Sequence, residues 1–520
     1  MTRNSAPAAA AAAAIALSAG VWAWSWRTGA VGGSDSACYA LMARVFADGA
    51  WQPLSVLAAD APWPEPARVA APAGFLPSPI RAAAAVPVCA PGYSLLLAPL
   101  VAVVGDEAIH VVPAVAVAAL VWLAFLLGRS LASDAAGLSA AVLTAATPIV
   151  LFQAVQPMND IATGALWVGV ALAACRQRPV ITGLLVGAAL LVRPNLAAGA
   201  ATAVLGVAWL SARPASPGWP LRALRSTVVA GLAAVPSVLL ALLLNDRLYG
   251  SPFQSGYGDL GVLFAFDHVP VNIARYGRTW LAGSTPVALL SVLAWWGRDR
   301  DQCRAVTVVM GLAASLAVVY LAYRPFDEWW YLRFLLPSVA LAAVLTSVTL
   351  DHAARRWAGG LWAGTLGVAV LVTAAWTWLS PQAGDARGLQ ALEARFPHTA
   401  AVVAERLDQG AVPITIWQSG GLRFWPGREV VVWDALDAAW LDDAVAWLQT
   451  HGRQPAIVVE RWEEAGFRER FAGQTYGGLD WPPRYDVDRR VRIFLPEDRE
   501  RYLQGEAVVT ETIFGAGRRR

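Results

Sequence analysis

Long apolar runs, each close to the length a helix needs to cross a bilayer, recur through the first 380 of the 520 residues of this chain. A helix crosses hydrocarbon with about 20 apolar residues, fewer where protein surrounds it. On that rule about eleven spans are expected, at 8–27, 109–128, 136–153, 160–175, 180–192, 194–211, 226–244, 280–296, 305–323, 333–350 and 361–379. The chain is 57% hydrophobic and only 15% charged, where a soluble domain carries roughly a quarter. Lipid, not water, must therefore solvate most of it. The first run begins weakly basic, lacks a small-residue cleavage site and ends in VWAWSW. It reads as an uncleaved anchor, not a signal peptide.

Arginine placement sets the expected orientation. Arg129, Arg176, Arg178, Arg213, Arg222, Arg225, Arg298, Arg300, Arg304, Arg355 and Arg356 fall in alternate loops, and short basic loops face the cytoplasm. The N-terminus is then cytoplasmic, while 28–108, 154–159, 245–279, 324–332 and everything after 380 lie outside. This scheme keeps 91–104 along the membrane surface. It also treats 180–192 and 194–211 as two spans meeting at Arg193-Pro194-Asn195, because proline disfavours helix at the residue before it.

Beyond about residue 385 the pattern changes. The β-rich runs VPITIW (412–417), EVVVWD (429–434) and PAIVVE (455–460) alternate with helical stretches such as 439–452. That alternation predicts a small α/β domain over 385–520, following a membrane domain over 1–380.

The chain has no lysine; all 40 basic residues are arginine. A Walker-type phosphate loop and a Schiff-base lysine are thereby excluded, and any phosphate must be held by arginine, backbone amides or a metal. A net charge of +3, dispersed along the chain, is too small for a nucleic-acid surface. Of four cysteines, Cys38 and Cys89 bracket the first outer loop, where an oxidising compartment would permit a disulfide. No HxH, HExxH or carboxylate pair at ligand spacing identifies a metal centre. His110, with Asp106 and Glu107 nearby, is most simply a histidine at a helix start.

Two carboxylates stand at predicted membrane boundaries: Asp35 in GSDSACYALMARVFADG (33–49) and Asp160 in QPMNDIATGALW (156–167). Such acids are costly to desolvate and are functional candidates, although each also begins a helical run and fits a helix cap. Arg81, Arg193 and Arg333 are fixed cations near the same boundary, suited to bidentate pairing with phosphate. Tyr257, Tyr331, Trp329 and Trp330 supply flat faces. For Arg333 and the tryptophan pair, interfacial anchoring is the ordinary alternative.

Those two segments, with APGYSLLLAPLVAVVGD (90–106), GLLVGAALLVRPN (183–195), NDRLYGSPFQSGYG (245–258) and WYLRFLLP (330–337), resemble the GT-C superfamily of polyprenyl-phosphate-sugar-dependent glycosyltransferases. The likeness is to the bacterial branch related to protein mannosyltransferases and lipid A aminoarabinose transferases, glycosyltransferase family 39 among them. It covers roughly the first 340 residues. The resemblance implies a multi-pass α-helical fold in the cell membrane and a polyprenyl-phosphate-sugar donor. The acceptor would be a cell-envelope glycan, lipid or protein. Asp35 would be the general base in an inverting transfer at the outer face. Asp160, Arg193, Arg81, Tyr257, Arg333 and Tyr331 would bind donor or acceptor. The resemblance names no certain cofactor and leaves a divalent metal ion open, which would fall to Asp35 and Asp160. A transporter or flippase of a lipid-linked sugar is the competing class, though such proteins show paired repeats and midplane charges. Neither is visible here.

Overall fold

The computed structural model describes residues 6–212 and 217–515; Arg213, one of the loop arginines above, lies outside them. Among the described residues seven helices are long and apolar enough to cross a membrane: Ala6–Ser25, Ala108–Leu131, Pro194–Ser211, Trp219–Tyr249, Arg300–Leu321, Trp329–Trp357 and Gly359–Leu379. An eighth arises if Asp134–Ala146 and Pro148–Ala154, bent by 61°, count as one span. Pro91–Val104, Asp160–Cys175 and Pro179–Val192 are apolar but shorter. The expected span at 280–296 is not one helix. Val269–Ser284 stops at Thr285, whose φ of 63° is left-handed, and a 3₁₀ segment Pro286–Leu293 follows. Proline at 286 removes a backbone donor and bars helical geometry from the residue before it.

The chain divides into two compact units. The first holds 1–27, 110–242 and 259–389. Its core is built from Leu120, Ile161, Trp167, Val186, Leu312, Leu316, Leu336 and Val344, all buried. Close helix approach depends on glycine. A Cβ at Gly183 would overlap the carbonyl oxygen of Ala230, and one at Gly187 would lie 3.0 Å from that of Ala234. The GLLVG stretch (183–187) thus seats Pro179–Val192 on Trp219–Tyr249 as small residues do in membranes.

The second unit holds 28–109, 243–258 and 390–520. Its five-stranded sheet runs in the order Val412–Ile414, Pro455–Glu460, Val491–Phe494, Tyr485–Val487, Glu511–Ile513. The first pair and the last pair are parallel; the two central pairings are antiparallel. EVVVWD does not become a strand. It makes a single bridge, Ile414 with Val431, before the Val432 N–H turns to the carbonyl of Val69 and the chain folds back at Ala435. Leu57, Trp63, Val69 and Ala70 of the first loop share one core with Ile414, Trp433, Leu448, Ile457 and Phe494. The first loop also carries an antiparallel ribbon, Phe75–Pro77 with Ala85–Pro87. A disulfide joins Cys38 to Cys89, tying the helix Asp35–Ala47 to the segment that enters Pro91–Val104.

Candidate active site

In the first unit the break at Arg193-Pro194-Asn195 creates a buried charge cluster. Pro179–Val192 ends because Arg193, held before a proline, adopts φ −149° and ψ 86°. A 3₁₀ turn, Pro194–Leu196, then reverses the chain into Ala197–Ser211, and the two helices pack against each other. The Asn159 side chain donates to the carbonyl of Val192 at 3.0 Å, fastening the start of Asp160–Cys175 to the end of Pro179–Val192. That bond sets Asp160 beside Arg193.

Asp160 is fully buried. Arg193 Nη1 donates to its Oδ1 at 2.9 Å, and Arg333 Nη1 lies 3.9 Å from its Oδ2. Both arginines are largely buried, with 8% and 12% of their side chains exposed. Asp160 is the first residue of its helix, not its cap; the cap position belongs to Asn159. The positive end of the helix therefore lies against the same carboxylate as the two guanidiniums.

An aromatic wall completes the cluster. The Arg193 guanidinium lies 5.7 Å from the Tyr320 ring and 5.6 Å from Phe334; that of Arg333 lies 5.1 Å from Phe334 and 5.5 Å from Tyr331. Tyr320 stacks on Phe334 with centroids 5.0 Å apart, and Tyr331 stacks on Phe326 at 4.1 Å. Asn195 Nδ2 donates to the Tyr320 hydroxyl at 3.0 Å. Buried Asn272 donates to the carbonyls of Leu321 and Tyr323, closing the end of Arg300–Leu321 that carries Tyr320. Arg333 is thus part of a buried ionic cluster, whereas neighbouring Trp329 and Trp330 pack on Phe152, and Trp329 donates to Asp385.

Asp35, Arg81 and Tyr257 belong to the second unit. Asp35 is the first residue of the helix Asp35–Ala47, with Ser34 at the cap. It enters the helix after Gly33, whose φ is 61°. Gly74, at φ 88°, packs against the carbonyl oxygen of Ser34 and leaves no room there for a side chain. Arg81 is exposed between the two strands of the ribbon, its backbone N–H bonded to Ser78 Oγ. Tyr257 is half-buried beside Gly256, which packs on the carbonyl of Pro87, an acceptor also of the Tyr249 hydroxyl at 2.8 Å.

Asp160 does not suit a divalent cation, because its carboxylate already faces two guanidiniums. Among the described residues no group of three or more His, Cys, Asp or Glu side chains converges. His110 is buried in Ala108–Leu131, and Asp106 pairs with Arg44. Asn159, Asn195, Asn272, Tyr320 and Phe334 were not expected from the sequence. Only Asn195 carried a signal, through its Arg-Pro-Asn setting.

No family model matches the chain, and no curated protein matches it in sequence. Its structure is similar to that of ArnT from Cupriavidus metallidurans bound to undecaprenyl phosphate. The TM-score is 0.53 at 15% identity, covering 88% of this chain and 93% of that one. The same protein in the apo state gives 0.52 at 16% identity, covering 86% and 92%. The chain has the fold of the GT-C glycosyltransferases, the fold its loop segments resembled.

Proposed function

We propose that this chain is a membrane glycosyltransferase that moves a sugar from a polyprenyl-phosphate-linked donor to an acceptor hydroxyl. The observation that carries the reading is the buried Asp160–Arg193–Arg333 cluster, two guanidiniums against one carboxylate. Such a pair of arginines matches the geometry and charge of a phosphate. Likeness in fold to a protein whose structure holds undecaprenyl phosphate supports the same class of donor here.

In this scheme Asp35 takes the proton of the acceptor hydroxyl as its oxygen attacks the anomeric carbon. The anomeric carbon–oxygen bond to phosphate breaks, and the electron pair leaves on the phosphate oxygen. Neutralised by cationic donors, that charge lets the leaving group depart without a proton. Asp160 orients Arg193. A single displacement inverts the anomeric centre. We propose about eleven spans, of which the seven long helices, the bent pair, Asp160–Cys175 and Pro179–Val192 make ten. The alternate basic loops then place the N-terminus in the cytoplasm, and the tail 385–520 and the chemistry outside, at the cell membrane.

The test is to purify Asp35→Asn and wild type in mild detergent and compare co-purifying lipids by mass spectrometry. A polyprenyl phosphate carrying one sugar, enriched in the variant, is the expected result. Equal enrichment in both would remove Asp35 as base and favour a carrier of lipid-linked sugar.

A further inference from the structure

Two adjacent parallel strands of the second unit, Val412–Ile414 and Pro455–Glu460, carry their chains out at the same edge. Ligands of open α/β sheets bind outside such carboxyl ends. At this edge stand Trp417, half-buried, and Trp462, 64% exposed, with ring centroids 5.8 Å apart and planes at 84°. Each is fixed by a buried carboxylate. Glu460 Oε2 accepts the Trp462 indole N–H at 2.8 Å, and Glu463 Oε1 accepts the Trp417 backbone N–H at 3.3 Å. The other oxygen of Glu460 takes bonds from Arg395 Nε and Gln418 Nε2, both at 2.9 Å. Gln418 is 1% exposed, and its Oε1 has no hydrogen-bond donor among the described residues. A buried carbonyl oxygen in that state is the kind of group that an ordered water or a ligand satisfies.

The same edge adjoins the segment that leads into Asp35. A Cβ at Gly33 would sit 3.6 Å from the Trp417 ring, and Gly420 packs on Ala37. The helix Ser419–Phe424, which begins two residues after Trp417, lies against Asp35–Ala47. Asp35 is two residues beyond Gly33, so its backbone is within about 12 Å of the Trp417 ring. That separation is on the scale of one or two sugar rings.

We propose that Trp417 and Trp462 form a stacking platform for a pyranose ring of the acceptor, which is therefore a glycan presented to Asp35. The inference rests on the glycosyltransferase reading and names its acceptor class. Perpendicular indoles offer a face and an edge to one ring, and stacking is tolerant of which sugar is held. A membrane-anchoring role fits less well. Trp462 spends its indole N–H on buried Glu460, where an interfacial tryptophan turns its polar end to the headgroups.

The experiment uses the full chain in lipid nanodiscs, applied to an array of linear and branched hexose and pentose oligosaccharides. Wild type and Asp35→Asn should both retain at least one glycan. Trp462→Ala should weaken that binding at least tenfold with an unchanged melting temperature, and Trp462→Phe should fall between. Absence of any retained glycan in wild type overturns the proposal, as does undiminished binding by Trp462→Ala. Weaker vesicle reconstitution of Trp462→Ala with glycan binding intact would also overturn it, in favour of anchoring. The lipid measurement on Asp35→Asn separates the two readings. Donor held without glycan binding removes only the platform, whereas glycan bound without donor removes the transferase.

Discussion

Arg193 is held by Asp160 on one side and by aromatic rings on the other, so its removal takes from a buried carboxylate its 2.9 Å partner and leaves it Arg333 at 3.9 Å. Arg193→Ala should cost about 3–5 kcal/mol of stability, read as a fall in melting temperature in detergent. Asp160→Asn combined with it should recover part of that loss, because the buried carboxylate, left with Arg333 at 3.9 Å, is then neutral. A double-mutant cycle measures the coupling. The acid and both arginines were legible as boundary charges. Their mutual pairing was not, since 33 residues separate Asp160 from Arg193 and only the Asn159–Val192 bond fixes the register. A second titration belongs to the tail. Burial pushes the Glu463 carboxyl up to about 7, Glu460 and Asp434 add to the rise, and the backbone N–H groups of Glu460 and Trp417 oppose it. The folded state thus binds a proton that the unfolded chain releases above about 4.5. Stability gained from it is full at low pH and is lost as pH rises through 7, by up to about 3 kcal/mol. Melting temperature should fall between pH 5 and 8, and Glu463→Gln should flatten the slope. Glu393, also raised by burial, leaves a residual dependence.

At the scale of helices, glycine contacts give the sharpest discrimination. Gly183→Ala must push Pro179–Val192 away from Trp219–Tyr249, since the new methyl meets the Ala230 backbone. A loss of about 1–3 kcal/mol is expected. Gly231 lies on the helix Trp219–Tyr249 with open space about its Cβ position, so Gly231→Ala should be neutral or slightly stabilising. Thermal unfolding of the pair in one detergent checks both. Hydropathy located ten of the eleven expected runs as helices, one of them a bent pair, because desolvation of a 20-residue apolar run leaves few alternatives. It failed at 280–296, where Thr285-Pro286 overrides the apolar pattern, and at EVVVWD, where Val432 bonds to the first loop instead of the sheet. Neither competitor is visible within a local window.

For the molecule as a whole, the tail and the first loop are one folding unit joined by a shared core. By sequence alone the first loop falls with the membrane domain, because contacts between residues 57–70 and 412–494 leave no periodic trace. The Cys38–Cys89 bond makes a covalent ring of the chain between them, and exposed Arg81 lies within that ring. Trypsin cutting after Arg81 would therefore open the backbone without releasing a piece. The nicked protein should run at full mass on a non-reducing gel and split into two fragments only after thiol treatment. The loop that follows Asp35 is in this sense topologically closed: a severed backbone would still deliver both of its ends to the same fold.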